Sequence, residues 1–194
     1  MSKIFVSSDP HLSHDKDFIY IPRGFSSIEE HDAEIVRRWN SIVSPDDIVY
    51  VLGDVIVLNL ESGMKYLEQL NGHIYIIPGN HDSVHKIEEY KKLPNVQVLN
   101  AVCGGLLPAS AMIKYKKYYL CLSHFPTLCN NYDEDKPLKA RCINLCGHSH
   151  TKDKFADMDK GIIYHVEMDA HDCYPIELDK VIEEIKEYHI ECLT

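Results

Sequence analysis

Residues 48–54 read IVYVLGD, a continuously apolar run that ends in a glycine and an aspartate. Such a run is typical of a strand that is buried on both faces within a parallel sheet. The carboxylate of Asp54 would then lie at the carboxyl edge of that sheet, where the ligand sites of α/β proteins gather. If this cluster stood alone, a helix cap or a turn would explain Asp54 better.

Four other predicted strands also end in polar clusters. These strands cover residues 3–8, 74–77, 118–123 and 141–146. The clusters are Asp9-Pro10-His11, Gly79-Asn80-His81-Asp82, Ser123-His124 and Gly147-His148-Ser149-His150. One such cluster is most simply an ordinary turn, but five in this order are improbable as a coincidence. We therefore predict that the following side chains converge on a metal centre: Asp9, His11, Asp54, Asn80, His124, His148 and His150.

This set of donors is too rich for one four-coordinate zinc ion, and it fits two cations that share a carboxylate. Each oxygen of Asp54 can take one cation, so Asp54 is the candidate bridge. The spacing of His148 and His150 is a recurrent one for metal ligands, and Gly147 lets the backbone approach closely. Imidazole, carboxylate and amide donors without thiolate point to manganese, iron, zinc or cobalt in a divalent or trivalent state, with manganese as the first choice.

The composition limits the class of protein and of partner. The chain has 194 residues, of which 45% are hydrophobic and 26% charged, and these values suit one globular domain over residues 1–194. Its 30 acidic and 20 basic residues give a formal net charge of −10. That balance argues against a nucleic-acid partner, because a basic face is the usual footprint of phosphate binding. It allows a small anionic substrate, since bound cations would add local positive charge.

The apolar runs and the cysteines indicate where the protein works. No run approaches the roughly 18–20 apolar residues that a membrane span needs. The first eight residues read as a strand and not as a signal peptide. The seven cysteines include no CxxC pair, and their odd number argues against a disulfide scaffold. We therefore expect a soluble cytoplasmic protein with reduced thiols.

Helical periodicity and capping residues predict helices over residues 27–43, 61–70, 83–93 and 178–188. Further strands are predicted over 96–99, 111–114 and 162–168, with loops over 11–25 and 125–139. Strands alternate with helices in the first half, whereas the second half is rich in strands. This order predicts an α/β fold with either one mixed sheet or two packed sheets, flanked by helices.

Together, the five clusters resemble the signature blocks of the calcineurin-like metallophosphoesterase superfamily, which read DxH, GD, GNH, H and GHxH. The chain carries them as Asp9-Pro10-His11, Gly53-Asp54, Gly79-Asn80-His81, His124 and Gly147-His148-Ser149-His150. The resemblance runs from residue 4 to about residue 185 and is strongest to small single-domain bacterial and phage members, through residues 8–14 and Trp39-Asn40. It implies a β-sandwich of two packed mixed sheets with outer helical layers.

The resemblance also implies roles for the clustered residues. One metal ion would be held by Asp9, His11, Asp54 and His150. The second would be held by Asp54, Asn80, His124 and His148. His81 would be the acid that faces the substrate. No ligand position is substituted, and Pro10 at the variable position should only stiffen its turn.

The expected reaction is the hydrolysis of a phosphate ester. A hydroxide activated by both ions would attack phosphorus in line with the departing oxygen, which His81 would protonate as general acid. Asp82 would either orient the His81 ring or cap the helix that follows. His14 is predicted to lean into the substrate pocket and Arg23 to bind a phosphate bidentately, against the alternatives of a plain loop histidine and a surface arginine.

Three functions compete on these grounds. The leading one is a phosphoesterase acting on a small phosphorylated substrate, with a phosphodiester or nucleotide preferred over a monoester on the resemblance alone. A nuclease is a second enzyme class, against which the acidic charge counts. A non-catalytic scaffold for protein partners would be expected to lack some ligands or His81, and this chain keeps them all. A purely structural metal site would favour a closed, cysteine-rich shell, and the clusters contain no cysteine.

Overall fold

A computed structural model describes residues 2–99, 109–129 and 137–191. Residues 130–136 of the predicted loop 125–139 lie outside the described residues, and so do Cys103 and Cys192. The described cysteines, Cys121, Cys129, Cys142, Cys146 and Cys173, are free thiols. No helix in these ranges is both long enough and apolar enough to cross a membrane.

The described strands form two mixed sheets. In chain order they are β1 (Ile4–Ser7), β2 (Ile48–Val51), β3 (His73–Ile76), β4 (Val96–Val98), β5 (Ser110–Tyr115), β6 (Tyr118–Ser123), β7 (Cys142–Cys146), β8 (Ile163–His165) and β9 (Ile176–Glu177). The first sheet has the order β4-β3-β2-β1-β9 and the second the order β5-β6-β7-β8. Strands β1 to β4 run parallel and β9 runs antiparallel to β1. In the second sheet, β5 and β6 form an antiparallel hairpin, whereas β6, β7 and β8 run parallel.

Five helices accompany the sheets within the described ranges. They are α1 (Asp17–Tyr20), α2 (Ile28–Ile42), α3 (Leu60–Leu67), α4 (Val84–Tyr90) and α5 (Leu178–Glu191). Ser27 caps α2 as its side chain accepts a hydrogen bond from the Glu30 amide, and acidic residues occupy the first turn. Asn59 and Ser83 cap α3 and α4 in the same way.

Alternating side chains of the first sheet face two hydrophobic cores. Val49, Val51 and Ile76 point to the outer core, where Ile35 and Trp39 of α2 cover them. The inner core lies between the sheets and is closed by apolar residues of α5. Its central side chains include Val6, Leu52, Leu120, Leu122, Ile143, Leu145, Tyr164, Val181 and Ile185. The predicted pair of packed mixed sheets with outer helices is therefore confirmed, and the single-sheet alternative is wrong.

Three local predictions need correction. The loop predicted over residues 11–25 contains the one-turn helix α1, which is too short to produce a periodic pattern. The strand predicted over 162–168 ends at His165, and Met168 begins a short 3-10 turn. Strand β9 has only two residues and lies beside β1 through tertiary pairing, so the sequence pattern gave no sign of it.

Trp39 is the side chain whose truncation should damage the fold most clearly. It is fully buried in the outer core and its indole N–H donates to the Asn71 carbonyl at 2.9 Å. Trp39→Ala should lower the free energy of unfolding by about 3–5 kcal/mol, measured by urea denaturation. Phe18→Ala is the matched control, because its ring is 68% exposed. Equal stability losses for the two variants would contradict this account of the core.

Candidate metal centre

The carboxyl ends of five strands meet at one edge of the sandwich. Strands β1, β2 and β3 run parallel, so the clusters that follow them emerge side by side. Strands β6 and β7 run parallel in the second sheet and bring their clusters to the same place. A hydrogen bond from the Gly147 amide to the His124 carbonyl joins these last two clusters. The structure therefore assembles all five clusters into a single site.

Asp9 is fully buried at the base of this site. Its Oδ2 accepts hydrogen bonds from the Ser8 hydroxyl at 2.5 Å and from the His148 amide at 2.9 Å. Its Oδ1 lies 3.6 Å from Nε2 of His11 and 3.7 Å from Nε2 of His150. One oxygen of Asp9 is thus held by the protein, while the other faces two imidazole nitrogens.

The two carboxylate oxygens of Asp54 also have different surroundings. Its Oδ1 accepts a hydrogen bond from the His81 amide at 2.8 Å. Its Oδ2 lies 3.6 Å from Nε2 of His11 and 3.5 Å from Nε2 of His124. Asp54 Oδ2 therefore stands between a histidine from the first strand and a histidine from the second sheet.

The remaining donors gather around His124. Its Nε2 lies 2.9 Å from Oδ1 of Asn80 and 3.2 Å from Nδ1 of His148. His124 itself is fully buried, whereas Asn80 and His148 are exposed. This side of the site is accordingly open to solvent.

The spacing of the potential ligand atoms suits the coordination of metal ions better than hydrogen bonding between the side chains. Asp9 Oδ1 and His11 Nε2 are buried, and within the described part of the chain neither has a hydrogen-bond partner. These two atoms lie 3.6 Å apart, and each lies 3.6–3.7 Å from one further potential ligand atom, so all these distances exceed a good hydrogen bond. Two atoms that bind one tetrahedral ion at about 2.1 Å lie about 3.4 Å apart. Buried orphan donors at this spacing are what a cation site requires.

Two groups of ligand atoms are close enough to hold an ion each. One consists of Asp9, His11 and His150, and the other of Asp9, Asp54 and His124. Asp9 belongs to both groups by distance alone. Asp54 Oδ2 is nevertheless the atom that faces both His11 and His124, so a bridge would run through this one oxygen. The prediction of one cation on each oxygen needs correction, because Oδ1 accepts the His81 amide.

Hydrogen bonds to the outer nitrogens orient three of the imidazoles. Nδ1 of His124 donates to the Leu52 carbonyl at 2.8 Å, which points Nε2 at the other potential ligand atoms. Nδ1 of His150 pairs with Oδ2 of Asp169 at 3.0 Å. Nδ1 of His11 lies 2.7 Å from Nδ1 of His14. Such outer partners fix the tautomer and the ring orientation of metal-binding histidines.

Arg23 supports this arrangement from behind, which corrects the predicted phosphate contact. Its side chain is only 1% exposed, and its Nε and NH2 groups donate to both carboxylate oxygens of Asp169 at 3.0 and 2.6 Å. The guanidinium also donates to the backbone carbonyls of Asp9 and Pro10. Because its donors are engaged with the protein, Arg23 positions Asp169 and the Asp9 turn, and it does not face the opening.

His14 and Asp82 also stand behind other site residues. Burial and the neighbouring imidazoles lower the pKa of His14 to about 4, so its neutral Nδ1 can accept the proton of His11 Nδ1–H. The His14 ring also lies 6.3 Å from that of His81, and its substrate contact stays a prediction. Asp82 neither orients His81 nor caps α4. Its oxygens accept from the amides of Gly79, Asp54 and Val55 and from the Tyr90 hydroxyl, and so join two loops of the site.

The buried carboxylates remain ionised despite their burial. Burial alone would raise the pKa of the Asp9 carboxyl. The interaction with His11 and the charges of His124 and His150 together outweigh burial and lower this pKa to about 2. Burial likewise raises the pKa of Asp54, and His11 with His124 brings it below its ordinary value. An ionised pair of buried carboxylates favours cation binding.

The backbone at the site is strained. Five of the predicted ligands have left-handed φ angles: Asp9 (55°), His11 (50°), Asp54 (53°), His148 (71°) and His150 (49°). Such conformations are rare for residues with a Cβ and cluster at functional sites. The adjoining glycines allow close approach, because a Cβ on Gly79 would collide with the Asp54 carboxylate and one on Gly147 with Asp9. The strands alone would not aim these side chains inward; the tight turns do.

His81 stands at the mouth of the site. Its amide is fixed by Asp54, yet its side chain is 48% exposed, with Nε2 3.9 Å from Asp54 Oδ2. Its ring lies edge-on to that of His11, with 5.9 Å between the ring centres. The imidazole therefore borders the metal-binding groups and remains accessible to a ligand.

Asp169 is the site residue that sequence reasoning missed. It follows β8 without a strand-end motif, and its partners Arg23 and His150 are 146 and 19 residues away along the chain. No local sequence pattern around Asp169 marks it as part of the site. Nearby, the Nε2–H of His171 donates to the His165 carbonyl at 2.9 Å.

Comparisons with known proteins agree with this site. A family model described as calcineurin-like phosphoesterase matches residues 2–182. An uncharacterised protein of Methanocaldococcus jannaschii is 42% identical over 84 residues, which is 42% of this chain. The match spans about half of that relative, 48% of its length.

Two further similarities cover more of the chain. The gene 66 protein of Mycobacterium phage L5 is 28% identical over 167 residues, or 78% of this chain and 79% of the phage protein. The crystal structure of a protein of unknown function from Aquifex aeolicus superposes with a TM-score of 0.70 at 19% identity, covering 94% of this chain and 99% of that one. At that identity the superposition supports the fold alone.

Asp169→Asn should weaken metal binding by about 10–100-fold, the usual effect of losing an outer partner of a metal-binding histidine. The amide keeps one acceptor oxygen, whereas Asp169 uses both oxygens for Arg23 and one of them also for His150. The measurement is a competition titration with a metal-sensitive dye. Asp172→Asn is the control, since Asp172 is an exposed neighbour. Unchanged affinity in Asp169→Asn would exclude the orienting role.

Proposed function

We propose that this chain, which belongs to the calcineurin-like phosphoesterase family, is a binuclear-metal-dependent hydrolase of a small phosphorylated substrate. The observation that carries the proposal is the position of Asp54 Oδ2 between His11 and His124. One carboxylate oxygen that faces two separate ligand groups supports a pair of ions over a single one. A pair of closely spaced ions is the arrangement used for in-line displacement at phosphorus.

The donor groups support the same assignment of ligands that the sequence predicts. The first ion would be held by Asp9, His11, Asp54 and His150. Nε2 of His11 lies 3.6 Å from a carboxylate oxygen of Asp9 and of Asp54, and Nε2 of His150 lies 3.7 Å from Asp9. The second would be held by Asp54, Asn80, His124 and His148, which gather around His124 Nε2. Imidazole, amide and carboxylate donors suit manganese, iron, zinc or cobalt, and manganese is our first choice.

When bound, the two ions supply activation of water at neutral pH and neutralisation of the phosphate oxygens. The chain's own residues supply position and protons. His81 is the residue we propose as general acid, because its ring is exposed beside the donor groups while its backbone is fixed to Asp54. A proton on its imidazole would pass to the departing oxygen of the ester.

A small substrate suits the shape and charge of the site. Asn80, His81 and His148 are exposed at the opening, and the Phe18 ring, 68% exposed, lies edge-on to His14 at 5.5 Å. These groups offer a polar mouth with an aromatic border, which supports a phosphodiester or nucleotide with a flat organic group. The net charge of −10 argues against long nucleic acid.

The location we propose is the cytoplasm, since the described cysteines are free thiols. A scaffold without catalysis is the competing function. It is disfavoured because the ligand atoms converge with buried, unpartnered donors at Asp9 and His11 within the described residues. A scaffold would gain nothing from holding such groups in strained turns.

The metal-reconstituted protein should hydrolyse bis(4-nitrophenyl) phosphate faster than 4-nitrophenyl phosphate, measured by release of nitrophenolate. Asp54→Asn should abolish both activities, because a neutral amide lacks the negative charge that an oxygen shared by two cations requires. Asp46→Asn, which alters an exposed aspartate before β2, should retain them. Silence of the wild-type protein on both esters with metal bound would favour the scaffold.

His81→Ala should lower kcat by roughly 10²–10⁴-fold, the usual contribution of a general acid, while metal affinity changes little. The measurement pairs steady-state rates with a metal titration of the same preparation. His85→Ala is the matched control, because His85 is an exposed histidine on the neighbouring helix α4. Full activity in His81→Ala would identify another proton donor and refute the assignment.

A further inference from the structure

Two cysteines lie side by side on the outer face of the second sheet. Cys121 of β6 pairs in register with Asn144 of β7, and Cys142 precedes Asn144 by two residues. Residues two apart on a strand share a face, so Cys121 and Cys142 point to the same side. They are 8% and 6% exposed. Met112 of β5 lies on this side as well, with its sulfur 4.0 Å from that of Cys142.

A third cysteine is brought to this face by the segment that follows His124. The Thr127 amide donates to the Asn144 side-chain carbonyl at 2.8 Å, which holds the segment against the sheet. Two residues later, the Cys129 thiol interacts directly with the thiols of both Cys121 and Cys142. Cys129 is half-buried and is therefore the most accessible of the three.

The three thiols differ in their readiness to ionise. Hydrogen bonding from Cys129 lowers the pKa of Cys121 and of Cys142. The same contacts raise the pKa of Cys129. The two sheet thiols therefore ionise more readily than Cys129, which contacts both of them. A more readily ionised thiol beside a second thiol is the pairing of a reactive cysteine with a resolving partner.

We propose that Cys129 is a thiol-oxidation site that forms a reversible disulfide with one of the two sheet cysteines, Cys121 or Cys142. A peroxide is the oxidant. The sheet thiol gives up its proton, its sulfur attacks one peroxide oxygen and the O–O bond breaks. A sulfenic acid and hydroxide form, and the hydroxide takes up that proton as water. The Cys129 sulfur then attacks the sulfenic sulfur, the S–O bond breaks, and the Cys129 proton leaves with the oxygen as water. In total two thiols are oxidised and one hydrogen peroxide is reduced to two waters.

A soft metal ion is the other ligand that three thiols could take. The groups of three or more closely spaced ligand atoms in the described residues contain aspartates and histidines and no cysteine. The central position of Cys129 between two partners suits pairwise bonding better than joint coordination. Disulfides in reducing compartments are usually transient and redox-sensing, which agrees with a reversible bond.

The disulfide would influence the metal centre through the short segment between His124 and Cys129. Phe125 lies on that segment and packs against His124 and His148, with ring centres 5.0 and 4.5 Å apart. Fixing Cys129 to the sheet restrains Phe125 and the two imidazoles that it contacts. Oxidation should therefore also raise the thermal unfolding midpoint by about 5 °C or more.

The test treats the reduced full-length protein with an equivalent of hydrogen peroxide, blocks remaining thiols with N-ethylmaleimide and maps unreduced peptides by mass spectrometry. We expect the loss of two hydrogen atoms per chain and a cross-linked peptide that joins Cys129 to Cys121 or Cys142. Dithiothreitol should restore all thiols. The thermal unfolding midpoint is recorded before and after oxidation.

Cys129→Ser should abolish the cross-link and the thermal shift while preserving the circular dichroism spectrum. Cys173→Ala, which removes a thiol from the other core, should keep both. Complete alkylation of every thiol after oxidation would overturn the proposal, and so would a cross-link that excludes Cys129. Stoichiometric binding of cadmium with a thiolate absorption band, lost in Cys129→Ser and not accompanied by a cross-link, would replace it with a metal site.

Discussion

Two buried carboxylates in one site set the requirements for the rest of this structure. Asp9 and Asp54 are 0% and 2% exposed, and burying an ion costs several kcal/mol unless partners compensate. The protein compensates only half of each group, by donating to Asp9 Oδ2 and to Asp54 Oδ1. The other two oxygens face imidazole nitrogens at distances too long for good hydrogen bonds. A cation bound between these oxygens and the imidazole nitrogens would supply the missing compensation.

The buried carboxylates and imidazoles are held in position by turns, and the strands alone do not provide these turns. Five of the predicted ligand residues adopt left-handed backbone conformations, each with a cost of order 1–3 kcal/mol. Contacts from outside the site offset this strain. Asp82 joins the turns after β2 and β3 through three amides, and Arg23 fixes the Asp9 turn through two carbonyls. The glycines beside the ligands leave room for carboxylates where a Cβ would collide.

The convergence of these side chains could be predicted from sequence because they follow strand ends, and parallel strands bring their ends to one edge. The helix over residues 28–42 could also be predicted, because its cap Ser27 and its apolar spacing are local signals in the sequence. The residues behind the ligands carried no such signal. Arg23 and Asp169 are 146 residues apart, and their pairing exists only after the sheets have packed. Arg23 was therefore expected at a phosphate, although the fold uses it beside Asp169.

The imidazoles of the two proposed ion sites are not held equally firmly by their neighbours. The first group is the one with His11 and His150, and the second is the one around His124. His11 and His150 each have a partner on the outer nitrogen, and behind His150 the Asp169 carboxylate is itself fixed by buried Arg23. Around His124, the Leu52 carbonyl fixes the central ring, but Asn80 and His148 are exposed, and His148 is packed by Phe125 from a surface segment. Because ordering free side chains opposes binding, the first group is the better prepared to hold an ion. The second group, with two exposed members, can change its side-chain conformations at lower cost. Rigidity is thus concentrated where charge is buried, and adaptability on the side that is open to solvent.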